Sequence, residues 1–180
     1  EWVEIIRYIT PYGVPCDHSI EVTDYSSIFQ GLVEMRFSIG TDDQGFIVDV
    51  NLDFQAGTPP YKYSWVTTLW DNTYPFGDYE NLQPVEPVSW DFEDLSEAAK
   101  LKIFNTGHGW GPSNSGNAAE FYEATHTIGV NDDEFDQHLW VQCNPNPDGC
   151  QPQNGTWYYN RAGWCPGSIG HMYEYDLSPY

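Results

Sequence analysis

Basic residues are scarce in this chain: 6 Lys+Arg stand against 27 Asp+Glu, a formal net charge of −21. Nucleic acids are gripped by clustered Lys and Arg that displace counterions from phosphate, and this sequence has almost nothing to cluster. Long-range repulsion disfavours an anionic lipid surface for the same reason. Long apolar runs are missing too. No stretch approaches the roughly 18 residues that read as a membrane span, and no charged-then-apolar leader opens the chain. The missing leader does not imply cytoplasm, because a mature secreted chain has lost its own.

Cysteine is sparse but present. Cys16, Cys143, Cys150 and Cys165 sit in a loop-rich β sequence, three of them close together, which suits disulfides in an oxidising compartment. The competing reading is zinc, but no CxxC spacing occurs and His171 follows Cys165 at no familiar interval. Asn154-Gly155-Thr156 is an acceptor sequon for N-glycosylation and points to the same compartment. The expected location is secreted or extracytoplasmic.

Aromatic residues are abundant: Trp 8, Tyr 13 and Phe 9 make 17% of the chain. Disordered chains lack the large apolar groups that offset ordering entropy, so the acidity marks a solvated surface and not disorder. Most of these rings belong in a core, while Trp and Tyr also suit wet clefts and sugar faces.

Period-two alternation dominates the pattern, as for strands with one buried face. Val33, Met35, Phe37 and Ile39 alternate with Glu34, Arg36 and Ser38, and Phe46, Val48, Val50, Leu52 and Phe54 alternate with Asp49, Asn51 and Asp53. The intervening 40–45 predicts a hairpin loop with glycine at both ends. Further strands are predicted at 2–9, 18–23, 60–70, 99–105, 124–130, 134–142, 156–159 and 171–176. One short helical turn is predicted from Thr23 or Asp24 through Gln30, closed by Gly31, and another at 94–99. Many short strands with turn-rich links indicate an all-β, antiparallel sandwich or jelly roll. Residues 55–60 look like a joint between two sheet systems, and 71–94 form a long acidic connection.

Residues able to carry chemistry concentrate in 105–126 and 138–167. The first stretch holds Gly107-His108-Gly109-Trp110-Gly111, Ala119-Glu120-Phe121 and Thr125-His126-Thr127. The second holds His138, Gly155-Thr156-Trp157 and Arg161-Ala162-Gly163-Trp164-Cys165-Pro166-Gly167. Glycine flanking a His or Trp lets backbone approach closely and presents the side chain at a loop tip. Arg161 stands out because so few basic residues exist, and its planar fork could hold a carboxylate or a sugar oxygen.

The 161–167 run, preceded by Asn144-Pro145 and Gly155-Thr156-Trp157, resembles the peptide-N-glycosidase F family. So do Arg7-Tyr8-Ile9-Thr10-Pro11-Tyr12, Gly57-Thr58-Pro59-Pro60-Tyr61-Lys62-Tyr63, Ala119-Glu120-Phe121 and Thr125-His126-Thr127-Ile128, in the same order and over nearly the whole chain. The resemblance implies two adjacent jelly rolls: 1–57 as the C-terminal part of a first, and 58–180 as the second, with the active cleft at their interface. It implies an amidase that cleaves the bond between a glycan and its asparagine, with no metal and no cofactor, its partner an N-glycan or glycopeptide. Glu120 then matches a cleft carboxylate, Arg161 and Trp164 match groups lining the substrate cleft, and Cys143–Cys165 matches a disulfide. If that bridge forms, Cys16 and Cys150 are the pair left over, and sequence does not decide whether they join.

The sequence also departs from the family pattern. The essential aspartate lies upstream of the stretch matched by Glu1-Trp2, a second glutamate falls at Gly40, and a tryptophan falls at Asp42. A cleft tryptophan falls at His108, or at Trp110 if the register slips. The chain also stops before the last strands of the second jelly roll, so open sheet edges are expected to be covered by an upstream segment or another copy. These departures support the alternative of a non-catalytic extracellular module that binds glycan or self-assembles. Rival readings stand beside each site residue. Glu120 could be structural, Arg161 could pair with an acid, and Trp164 could pack on the disulfide. His108, His126 and His138 raise copper, and Asn131-Asp132-Asp133-Glu134-Phe135-Asp136 raises calcium.

Overall fold

The computed structural model describes residues 2–40, 45–78, 80–92, 96–109 and 119–180. Among them the regular structure is strand, apart from two 3-10 helices, Thr23–Ile28 and Ala119–Phe121. The chain is all-β. The strands are β1 (Tyr8–Ile9), β2 (Lys100–Phe104), β3 (Ala124–Val130), β4 (Asp133–Leu139), β5 (Ser168–Ile169) and β6 (Met172–Asp176). They pair antiparallel as β1 with β5, β2 with β6 and β3 with β4.

Two compact units are distinguished: 1–5 with 20–68, and 6–19 with 69–180. Residues 58–68 therefore group with the first unit and 6–19 with the second, where the sequence reading drew a joint at 57/58.

In the second unit, alternation becomes pairing as the pattern requires. Across β3 and β4, His126 faces Gln137, Ile128 faces Phe135 and Ala124 faces Leu139, while Thr127–Asp136 and Gly129–Glu134 take the outward face. Asn131-Asp132 closes this hairpin, with Asn131 at φ 52°, a left-handed conformation that asparagine tolerates. Between β2 and β6, Leu101 opposes Tyr175 and Ile103 opposes Tyr173. On the other face Lys102 Nζ reaches Glu174 at 2.9 Å. Cross-strand apolar and opposite-charge pairs of this kind stabilise a sheet one by one. The core lies around 139–168, where Leu139, Cys143, Cys150, Ala162, Trp164 and Cys165 are buried with the polar Gln137, Asn146, Gln153, Arg161 and Ser168. Two of the buried amides are met by loop backbone: Gln153 Nε2 donates to Cys150 O and Pro166 O, and Asn146 Nδ2 donates to Pro166 O. The described residues of the acidic connection lack regular structure but are tied down, with Trp70 Nε1 donating to Glu86 O at 2.9 Å and Tyr74 Oη to the Glu86 carboxylate at 2.9 Å.

The first unit corrects the hairpin expected over 32–54. Its described parts, 32–40 and 45–54, carry no strand, and every residue in them is exposed. Alternation still sorted the sides: Met35, Phe37, Val48, Val50 and Leu52 line one groove of about 420 Å³. A ladder gains most when one face is covered, and here that face stays open. The expected turn at 24–30 is the 3-10 helix Thr23–Ile28; neither Thr23 nor Asp24 caps it, and the Glu21 carboxylate instead accepts the Thr23 N–H at 2.9 Å. The predicted strands at 18–23 and 60–70 are absent, and 2–9 shrinks to β1. Residues 156–159 form a turn after Gly155 and not a strand, for a reason that lies in the site. Of the turn predicted at 94–99, residues 94–95 lie outside the described residues.

Candidate functional site

Arg161 bridges to Val141 in both directions, its N–H donating to Val141 O at 3.2 Å and its carbonyl accepting from Val141 N at 2.8 Å. Two residues beyond Val141 is Cys143, and four beyond Arg161 is Cys165; the two form a disulfide with Cα atoms 5.5 Å apart. The backbone thus delivers the Arg161 side chain into the interior, at 0% exposure. A buried guanidinium is tolerated only if its charge and donors are matched. Here they are. Nε donates to Glu120 Oε1 at 2.9 Å, Nη1 to Tyr159 O at 2.6 Å and Trp157 O at 3.4 Å, and Nη2 to Thr156 O at 3.0 Å and Thr156 Oγ1 at 3.3 Å. Turning three carbonyls of 156–159 toward one group is incompatible with a strand ladder, so the Arg161 side chain, folded back from two residues further on, overrides the strand propensity of Trp157-Tyr158-Tyr159.

Glu120 sits in the 3-10 helix Ala119–Phe121 with 19% of its side chain exposed. Its carbonyl accepts the Ala162 N–H at 2.9 Å, and the Ala162 carbonyl accepts the Gly107 N–H at 2.9 Å. Loop 105–108, the 119–121 helix and loop 161–164 are thereby stitched together. Gly107 cannot carry a side chain, since a Cβ there would run into Ala119 O and lie 2.8 Å from Ala162 Cβ.

Trp164 lies in the same cluster, only 6% exposed, with Nε1 donating to Gly107 O at 2.7 Å. His108 stacks on it, with ring centroids 5.1 Å apart and planes at 26°. The guanidinium carbon of Arg161 lies 4.8 Å from the Trp164 ring. His108 Nε2 meets Thr106 Oγ1 at 2.9 Å, and that oxygen accepts from Arg7 Nη1 at 3.0 Å. Burial pushes the His108 pKa below its ordinary value; Glu120 opposes this and Arg7 reinforces it. Next to them Asn105 Nδ2 donates to His126 Nδ1 at 2.9 Å and to the fully buried Gln137 Oε1 at 3.0 Å. Desolvation also lowers the His126 pKa.

The structure therefore brings Glu120, Arg161, Trp164 and His108 together, while Trp110 lies outside the described residues. Arg161 has the internal role weighed as its alternative: all five donors meet protein acceptors, and none is left over for a ligand. Trp164 packs under His108. Asn154 is exposed on the 154–158 turn, its N–H held by Tyr12 O at 2.9 Å. Cys16 and Cys150 also form a disulfide, with Cα atoms 5.9 Å apart. Among the described residues no three His, Cys, Asp or Glu side chains converge as metal ligands. The copper candidates are separately engaged, His108 with Thr106, His126 with Asn105 and His138 with Glu123 at 2.9 Å. Asp133 of the calcium candidate accepts the Tyr180 hydroxyl at 2.7 Å.

The sequence profile described as peptide-N-glycosidase F, C terminal, matches residues 77–179. The chain belongs to the peptide-N-glycosidase F family. It is 33% identical over 186 residues to the peptide-N(4)-(N-acetyl-β-D-glucosaminyl)asparagine amidase F of Elizabethkingia miricola, an alignment covering 93% of this chain and 51% of that protein. The chain thus spans about half the length of that relative. No solved structure matches it. The region matching the peptide-N-glycosidase F profile contains Glu120, Arg161, Trp164 and the Cys143–Cys165 bridge. Arg7, outside it, and Thr106, Asn105 and Gln137, inside it, support the same cluster. Of these, Asn105 and Thr106 open the 105–126 stretch that the sequence singled out, Arg7 lies in a block that carries the family resemblance, and Gln137 carried no signal. Among the described residues no helix is long and apolar enough to cross a membrane.

Proposed function

We propose that this chain is part of a secreted glycoasparagine amidase built from jelly rolls, with Glu120 as the carboxylate that meets the substrate. In such hydrolysis water adds to the side-chain amide carbon, the C–N bond breaks, the glycosylamine leaves and asparagine becomes aspartate. Its barrier falls when water and the developing oxyanion are met by fixed groups. The observation that carries the reading is the Arg161–Glu120 contact, 2.9 Å with the arginine wholly buried and the glutamate partly open. Arg161 fixes one carboxylate oxygen, so Glu120 is held in one orientation. His108 and Trp164 form the adjoining wall. Two disulfides support an oxidising compartment.

The test is incubation of the whole protein of which this chain is part with an N-linked glycopeptide, following the Asn-to-Asp mass change. Release is expected, falling about 100-fold in Glu120→Gln, which keeps shape and loses charge. Absence of release, or release undiminished in that variant, overturns the reading. The second reading, a non-catalytic glycan-binding module, is favoured by Gly40, where the family resemblance puts a glutamate. It requires glycan binding without release.

A further inference from the structure

The guanidinium that anchors Glu120 also pins a second feature. Its Nη atoms hold the carbonyls of Thr156, Trp157 and Tyr159, and Tyr159 N–H donates to Thr156 O at 3.0 Å, so 156–159 is a fixed turn. That turn presents rings to solvent: Tyr158 is 46% and Tyr159 43% exposed. The two rings stand edge to face, centroids 4.8 Å apart at 83°. Trp157 meets Tyr158 at 6.1 Å, and Phe121, the neighbour of Glu120, meets Tyr159 at 6.2 Å. The side-chain hydrogen bond between the two tyrosines raises the Tyr158 pKa, so its hydroxyl stays neutral.

Exposed rings on a turn rigidified from beneath are not explained by core packing. We propose that Tyr158 and Tyr159 form a carbohydrate platform, on which sugar rings of a neutral glycan stack beside Glu120. Three features select this occupant. Arg161 has no donor left for an anion, and the chain carries a net charge of −21, so an acidic ligand is disfavoured. Their exposed ring surface is flat and apolar, the complement of the C–H face of a pyranose. Their hydroxyls add polar contacts at the ring edges, as amphipathic aromatics do at wet sites. The platform rests on the amidase reading for its ligand class, and it adds the residues that hold the sugar.

The experiment titrates the chain with N,N′-diacetylchitobiose, reading affinity by calorimetry and the contact site from ring carbon NMR shifts. Saturable binding with shifts at Tyr158 and Tyr159 is expected. Tyr158→Ala and Tyr159→Ala should each weaken binding about fivefold to tenfold, and Tyr158→Phe should retain most of it. Both positions are exposed, and the thermal midpoints should stay close to that of the wild type. No binding by the wild type, alanine variants that bind as well as it does, or preference for a proline-rich peptide would each overturn the platform. Glycopeptide cleavage, assayed in parallel, separates the two ideas. Release unchanged in both alanine variants leaves the amidase standing without the platform. Tyrosine-dependent chitobiose binding with no release leaves the platform standing without the amidase.

Discussion

Arg161 Nε lies 2.9 Å from Glu120 Oε1, 41 residues away in sequence, and the remaining four N–H groups of that arginine all go to 156–159. One planar cation therefore fixes both a candidate reacting carboxylate and the aromatic turn beside it. A lysine ammonium is a point charge with three donors and cannot span both sides. Arg161→Lys is expected to cost on the order of 3 kcal/mol, because it leaves buried acceptors unmet. Urea unfolding monitored by tryptophan fluorescence measures it. An unchanged midpoint would show that the fork does not hold the turn.

What could be read from sequence, and what could not, divides along the range of the interactions. β2, β3, β4 and β6 were legible because the alternation along each strand is local, whereas the partner of β2, about 70 residues on, was not. At 32–39 and 46–54 alternation found the shared apolar side but not the absence of a ladder. Residues 156–159 read as a strand because Trp157, Tyr158 and Tyr159 favour one, and no residue pattern shows that Arg161, two positions on, folds back onto their carbonyls. The pairing of Glu120 with Arg161 was visible only through family resemblance. The Arg7–Thr106 bond, 99 residues apart, left no pattern at all.

Gly163 sits at φ +80°, and a Cβ there would run into Asn105 O and lie 2.6 Å from Leu139 Cδ1. Both the left-handed backbone and the close approach to Asn105 exclude a side chain. Gly163→Ala should therefore destabilise the fold by roughly 2–4 kcal/mol and disturb the Asn105–His126 contact. The readouts are the thermal midpoint and the His126 ring signals by NMR. A variant with wild-type stability would mean that loop 161–164 is free to shift.

The two disulfides close loops of very different size, 22 residues for Cys143–Cys165 and 134 for Cys16–Cys150. In the chain-entropy account they contribute roughly 3 and 5 kcal/mol. Replacing Cys16 and Cys150 by serine should lower the unfolding midpoint more than replacing Cys143 and Cys165. Their loops overlap, so the two losses need not add. Alkylation of the intact protein followed by mass spectrometry should detect no free thiol. Finding one would refute the pairing, and a reversed order of midpoints would refute the loop-size argument.

His126 offers a test by pH. Burial lowers its pKa below the ordinary 6.5, and its Nδ1 accepts the Asn105 amide N–H, a role open only to an unprotonated nitrogen. Well above 6.5 both folded and unfolded states hold a neutral ring, and the full stability is present. As pH falls below that value the unfolded chain takes up a proton first, so stability declines, and the decline from this group ends once pH passes below the folded pKa. Urea midpoints at about pH 7.5 and about pH 5.5 should differ in this sense, with a smaller difference in His126→Gln, which keeps an acceptor but does not titrate. The ring's own NMR titration should have its midpoint below 6.5. A midpoint at or above that value would mean that the folded state accepts the proton readily and that the Asn105–His126 hydrogen bond does not hold the ring neutral.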